Sequence, residues 1–93
     1  MNSENIAAII AVRDVLLQGA LKYNKKGILK SQIDYGVRGD YAVISFGRAS
    51  GLDPNTADDV QAFAAEELGR KCYCDPQYIP AVAAVFRVNI KGL

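Results

Sequence analysis

The apolar residues near the start of the chain limit its folding more than any other feature. Ile6, Ile9, Ile10, Val12, Val15, Leu16, Leu17 and Leu21 recur at steps of three and four, the period of an α-helix. With Ser3 as cap and Glu4 in the first turn, a helix is expected from Ser3 to about Lys22. Its core face would hold Ile6, Ile9, Ile10, Leu16, Leu17 and Leu21, opposite a narrow polar stripe of Glu4, Asp14, Gln18, Lys22 and Lys25. A helix lying on one sheet carries an apolar stripe little wider than about 100°. Val12 and Val15 widen this one past half the circumference, so the helix is expected to be covered on two sides.

Beyond the helix, the basic residues and glycine of Tyr23–Gly27 mark a stop, and the period changes. From Ile28 to Val37, apolar Leu29, Ile33, Tyr35 and Val37 alternate with Lys30, Gln32 and Asp34, which predicts a half-exposed strand. Tyr41–Phe46 reads as a second strand, joined to the first by a short hairpin connection around Gly39. Asp53 and Pro54 supply a helix start after a glycine- and serine-containing loop. That second helix is expected to reach about Arg70, with Val60, Phe63, Ala64 and Leu68 as a narrow apolar stripe. A short strand at Lys71–Cys74, a turn at Asp75-Pro76-Gln77-Tyr78 and a last strand at Ala81–Ile90 complete the chain.

The order is therefore α-β-β-α-β-β, an α+β fold in which two helices pack on a mostly antiparallel sheet of about four strands. With 93 residues, positions 1–93 are read as a single domain. The halves Ile6–Phe46 and Ala57–Ile90 agree in pattern and not in residue identity, which leaves a duplication open.

Several function classes lose their support at this level. The chain has no histidine, and so lacks the commonest general base and the commonest zinc ligand. Asp58-Asp59 and Glu66-Glu67 are adjacent on a helix and point about 100° apart, so they cannot share a proton as a catalytic pair would. No glycine-rich phosphate loop is present. No catalytic residue, metal ligand set or cofactor is assigned. Arg38-Gly39-Asp40 matches a cell-adhesion tripeptide, but these residues also suit a hairpin tip, and no secretion signal accompanies them. Ile6–Val12 lies between Glu4 and Arg13, and is too short for the roughly 18 apolar residues of a membrane span. No membrane association is expected, and the two cysteines are read as reduced thiols of a cytoplasmic protein.

Three functional readings remain, in descending order. The first is a non-enzymatic interaction module that self-associates or meets another protein, with Ile6, Ile9, Ile10, Val12, Val15 and Leu16 as candidate contact residues and the final strand, charged only at Arg87 and Lys91, as a free edge for pairing across a two-fold axis. The second takes its cue from charge. Arg13–Arg48 holds seven basic and three acidic residues, a net of +4, and the rest holds four basic and seven acidic residues, a net of −3. Lys22, Lys25, Lys26, Lys30 and Arg38 could then bind nucleic acid or another polyanion, with Tyr23 or Tyr35 stacking on a base. The third is a thiol or ligand-binding role for Cys72 and Cys74, with Arg70 and Lys71 favouring the thiolate.

Overall fold

A computed structural model describes residues 3–75 and 81–93, with side chains of the first helix from Asn5 onward. The expected cap at Ser3 and the Pro76–Tyr78 part of the expected turn lie outside the described residues. Helix α1 spans Ser3–Tyr23, followed by strands β1 (Ile33–Arg38) and β2 (Tyr41–Gly47). Helix α2 (Ala57–Leu68) then leads to β3 (Cys72–Asp75) and β4 (Val82–Asn89). The four strands form one antiparallel sheet in the order β1-β2-β4-β3, which bears out the α+β class and the α-β-β-α-β-β sequence of elements.

Local chemistry moves two of the expected boundaries. The strand expected from Ile28 starts only at Ile33, because Leu29 N–H bonds to the Ser50 carbonyl at 2.9 Å and a single 3₁₀ turn occupies Lys30–Gln32. Alternation at Leu29 and Lys30 is therefore not strand pleating, and Leu29 is exposed. At the second helix, the Asp53 carboxylate accepts from Asn55 N–H at 3.0 Å and caps a 3₁₀ turn at Pro54–Thr56, which then passes into α2. The far end of α2 stops at Gly69, whose φ of 64° is the left-handed conformation that glycine adopts without strain. Gly69 N–H bonds to Glu66 and Arg70 N–H to Ala65, which satisfies carbonyls that the last helical turn leaves free.

Both helices lie on one face of the sheet: α1 packs across β1 and β2, and α2 against β3. The strands send alternate residues to that face. Ile33, Tyr35 and Val37 of β1 stand opposite Phe46, Ile44 and Ala42 of β2. Ile44 in turn stands opposite Phe86, and Ala42 opposite Val88. Phe46 and Phe86 meet edge to face, with centroids 5.7 Å apart, and fill the centre together with Ile9, Val12, Leu16 and Val60.

The second cover expected for α1 turns out to be α2. The helices come together at Gly19, where an added Cβ would lie 2.8 Å from Phe63 Cδ1 and 3.4 Å from Val60 Cγ1. A glycine inside a helix costs about 1 kcal/mol relative to alanine. Here the missing side chain lets the Phe63 ring lie against the α1 backbone.

Candidate assembly surface

The expected contact residues of α1 divide into two groups. Ile9, Val12 and Leu16 have no exposed surface, because the sheet on one side and α2 on the other already cover them. This corrects the expectation that they meet a partner. Ile6 remains exposed, Ile10 and Val15 are half-buried, and Leu17 and Leu21 continue the Ile6–Ile10 row toward the end of the helix. A row of Ile6, Ile10, Leu17 and Leu21 keeps steps of four, seven and four, so these residues share one flank. Ile6 is 43% and Leu21 55% exposed, values that a packed core position does not reach.

Beside this flank runs β1, an outer strand of the sheet, whereas the last strand, expected as a free edge, is interior, with β4 paired to β2 on one side and β3 on the other. Its helix-side residues Tyr35 and Val37 are 49% and 37% exposed, although their partners Ile44 and Ala42 on β2 are fully covered. The Arg13 guanidinium lies 5.3 Å from the Tyr35 ring centroid and 3.0 Å from an Asp14 carboxylate oxygen, which places the middle of α1 over the middle of β1. The sequence shows each of these apolar residues but not that the fold collects them at one edge. That grouping depends on the strand order.

The hairpin also determines which backbone groups of β1 are free. Two residues, Gly39 and Asp40, separate the paired Arg38 and Tyr41. Gly39 has φ of 60°, and among the described residues, Asp40 included, no non-glycine residue has positive φ, which matches a type II′ turn in which Arg38 and Tyr41 are hydrogen-bonded. Hydrogen-bonded pairs then alternate along the ladder, so Gly36 and Asp34 also bond to β2. Ile33, Tyr35 and Val37 direct their N–H and C=O groups away from the sheet. Ile33 N–H already bonds to Lys30, which leaves Tyr35 and Val37 to present the open edge.

The basic residues do not form one patch. Lys22 lies in the last turn of α1 and Lys25, Lys26 and Lys30 follow that helix, whereas Arg38 stands at the opposite end of β1, five residue rises or roughly 17 Å from Ile33. Lys22 Nζ lies 5.4 Å and 5.5 Å from the Tyr23 and Phe63 ring centroids. Tyr23 packs edge-on against Phe63, and Tyr35 sits under Arg13, so both rings named for base stacking already have neighbours. Near the lysines, Asn24 ties the loops together. Its amide donates to the carbonyls of Lys26 at 2.7 Å and Gly51 at 3.0 Å, and its side-chain oxygen accepts from Asp53 N–H at 2.9 Å.

Cys72 and Cys74 are both unbridged and share the helix side of β3. Burial, and secondarily the neighbouring Cys74, pushes the Cys72 thiol up to about 12. Cys74 is also raised, first by burial and then by Asp58 and Asp75. The expected thiolate-favouring cations act elsewhere: Arg70 donates to the carbonyls of Asn89 and Lys91, and Lys71 lies over the Tyr73 ring. Both thiols are thus disposed to remain protonated near neutral pH, which works against the reactive-thiol expectation. Among the described residues there is no group of three potential ligands for a metal ion.

The sheet face away from the helices holds one polar cluster. Arg87 lies 5.1 Å from the Tyr41 ring centroid and 4.4 Å from that of Tyr73, and it pairs with Asp75 at 2.9 Å. Its charge is therefore already matched within the chain. Two surface cavities, of about 290 and 330 Å³, lie at opposite ends of α1, one beside Asn5 and Leu93 and the other beside Asn24 and Asp53. The first is lined by Asp40 and Lys91, and the second by Lys25, Lys26 and Asp53. No helix among the described residues is long and apolar enough to cross a membrane. Compared with family models, curated proteins and solved structures, the chain matches none.

Proposed function

We propose that this chain is a non-enzymatic assembly module that associates with copies of itself through the outer edge of β1 and the adjoining flank of α1. The observation that carries this reading is the coincidence of an open strand edge with a row of exposed apolar residues, Ile6, Leu21, Tyr35 and Val37. Either feature alone is common on monomers. Together they leave both the backbone groups and the apolar surface of one side unmatched, which single chains normally avoid by covering or charging the edge. Fully burying one large apolar side chain contributes roughly 1.5–3 kcal/mol, so covering several is a large effect for a domain of this size.

Light scattering at micromolar concentration tests the reading. The expected mass is about twice the 10.1 kDa of one chain, and a monodisperse monomer would overturn it.

A further inference from the structure

We propose that the second copy docks about a two-fold axis through Gly36, joining the two β1 strands antiparallel and extending the sheet from four strands to eight. This rests on the assembly reading above and adds its geometry. The register follows from the free backbone groups. Tyr35 and Val37 each have one N–H and one C=O directed outward, and an antiparallel hydrogen-bonded pair exchanges two bonds between directly opposed residues. With Gly36 on the axis, Tyr35 faces Val37 of the partner subunit, and Val37 faces Tyr35 of the partner subunit. The four outward groups of Tyr35 and Val37 on each copy are then satisfied. Centring on Tyr35 would oppose Val37 to Ile33, whose N–H is already committed to Lys30. Centring on Val37 would oppose Tyr35 to Gly39, which lies in the turn.

The side chains fit the same register. On the face away from the helices, Asp34 stands opposite Arg38 of the partner subunit, and Arg38 opposite Asp34 of the partner subunit, two cross-strand pairs of opposite charge. On the helix face, aromatic Tyr35 meets β-branched Val37, a favourable cross-strand combination. Gly36 meets itself. A glycine inside a strand often marks a place where another backbone approaches closely. Within its own chain, no atom lies within 4 Å of where a Gly36 Cβ would be.

Helix α1 fits as well. It packs across β1 and β2, so its axis lies about one strand spacing from the two-fold, and the two α1 axes would be about 10 Å apart. Helices pack at roughly 8–10 Å. Because Arg13 lies over Tyr35, the two helices would cross near their middles and run antiparallel. Ile6 and Ile10 of one copy would then approach Leu21 and Leu17 of the other, covering a row whose ends, Ile6 and Leu21, are exposed in the single chain.

Disulfide trapping and a charge exchange test the register. Gly36 has no positive φ and open space at Cβ, so Gly36→Cys is compatible with the fold. Across a non-hydrogen-bonded pair the Cα atoms are about 4.5 Å apart, within disulfide reach. Under mild oxidation with diamide, Gly36→Cys is expected to run as a covalent dimer on a non-reducing gel, whereas the unaltered chain and Asp34→Cys do not. Asp34→Arg or Arg38→Asp alone should weaken the dimer about tenfold, since each makes two like-charge pairs, and the double exchange should restore it. A dimer by light scattering that Gly36→Cys does not trap and the exchange does not rescue would overturn the register while leaving self-association intact. A monomer, or an edge occupied only by a strand of a different protein, would overturn both.

Discussion

Gly19 shows how a single missing side chain can set the distance between two helices. A Cβ there would press into the Phe63 ring, so Gly19→Val should lower stability by about 1–3 kcal/mol in urea unfolding, and Phe63→Leu should recover part of the loss. Gly19→Ala should be much milder, because the gain in helix propensity offsets the contact. Gly19 interrupts a good helical pattern, but its neighbour is 44 positions away and no local rule points to it. Cys72 carries a different consequence. Its folded-state pKa is raised from the ordinary value of 9.0 to about 12, so ionisation favours the unfolded chain once pH exceeds about 9. The stabilising effect of the neutral thiol is present below that value and is lost as pH rises toward 12. Thermal melts at pH 8 and pH 10.5 should therefore show a fall that Cys72→Ala reduces, and native alkylation of Cys72 should be slow at pH 7.

At the level of elements, the long apolar run of α1 and the alternation of β2 and β4 were sufficient to read helices, strands and their order. Both signals come from periodic burial, which the chain writes directly into its residues. The same signal misplaced the beginning of β1, where Leu29 and Lys30 mimic alternation inside a hydrogen-bonded turn. It also pointed to another molecule as the second cover of α1, where α2 lies. The width of an apolar arc says how much surface must be buried and not by what, so the candidate site was legible only in part: Ile6 and Ile10 lie on the open flank, while Ile9, Val12 and Leu16 belong to the core and Val15 packs against it. Connections contribute too. Asn24 joins the end of α1 to the loop before α2 through two hydrogen bonds and makes a third to Lys26, and Asn24→Ala is expected to cost about 1 kcal/mol with no change in oligomeric state.

For the whole molecule, the melting temperature should rise with protein concentration, because association stabilises only the folded chain. Ile10→Lys combined with Leu17→Lys should give a folded monomer, with an unchanged far-ultraviolet circular dichroism spectrum and a melting temperature independent of concentration. Lys25→Glu combined with Lys26→Glu lies away from the β1 edge and should leave the dimer intact, which separates the assembly reading from binding to a polyanion. The two outer strands of the sheet are unequal, six residues in β1 against four in β3. In the language of polymer chemistry, a unit with one reactive end has a functionality of one. On the proposed reading, two such units would cap each other without propagating a chain, and growth by edge pairing would stop at two copies. Lengthening β3 would raise that functionality to two and turn a self-terminating pair into the repeat unit of a filament.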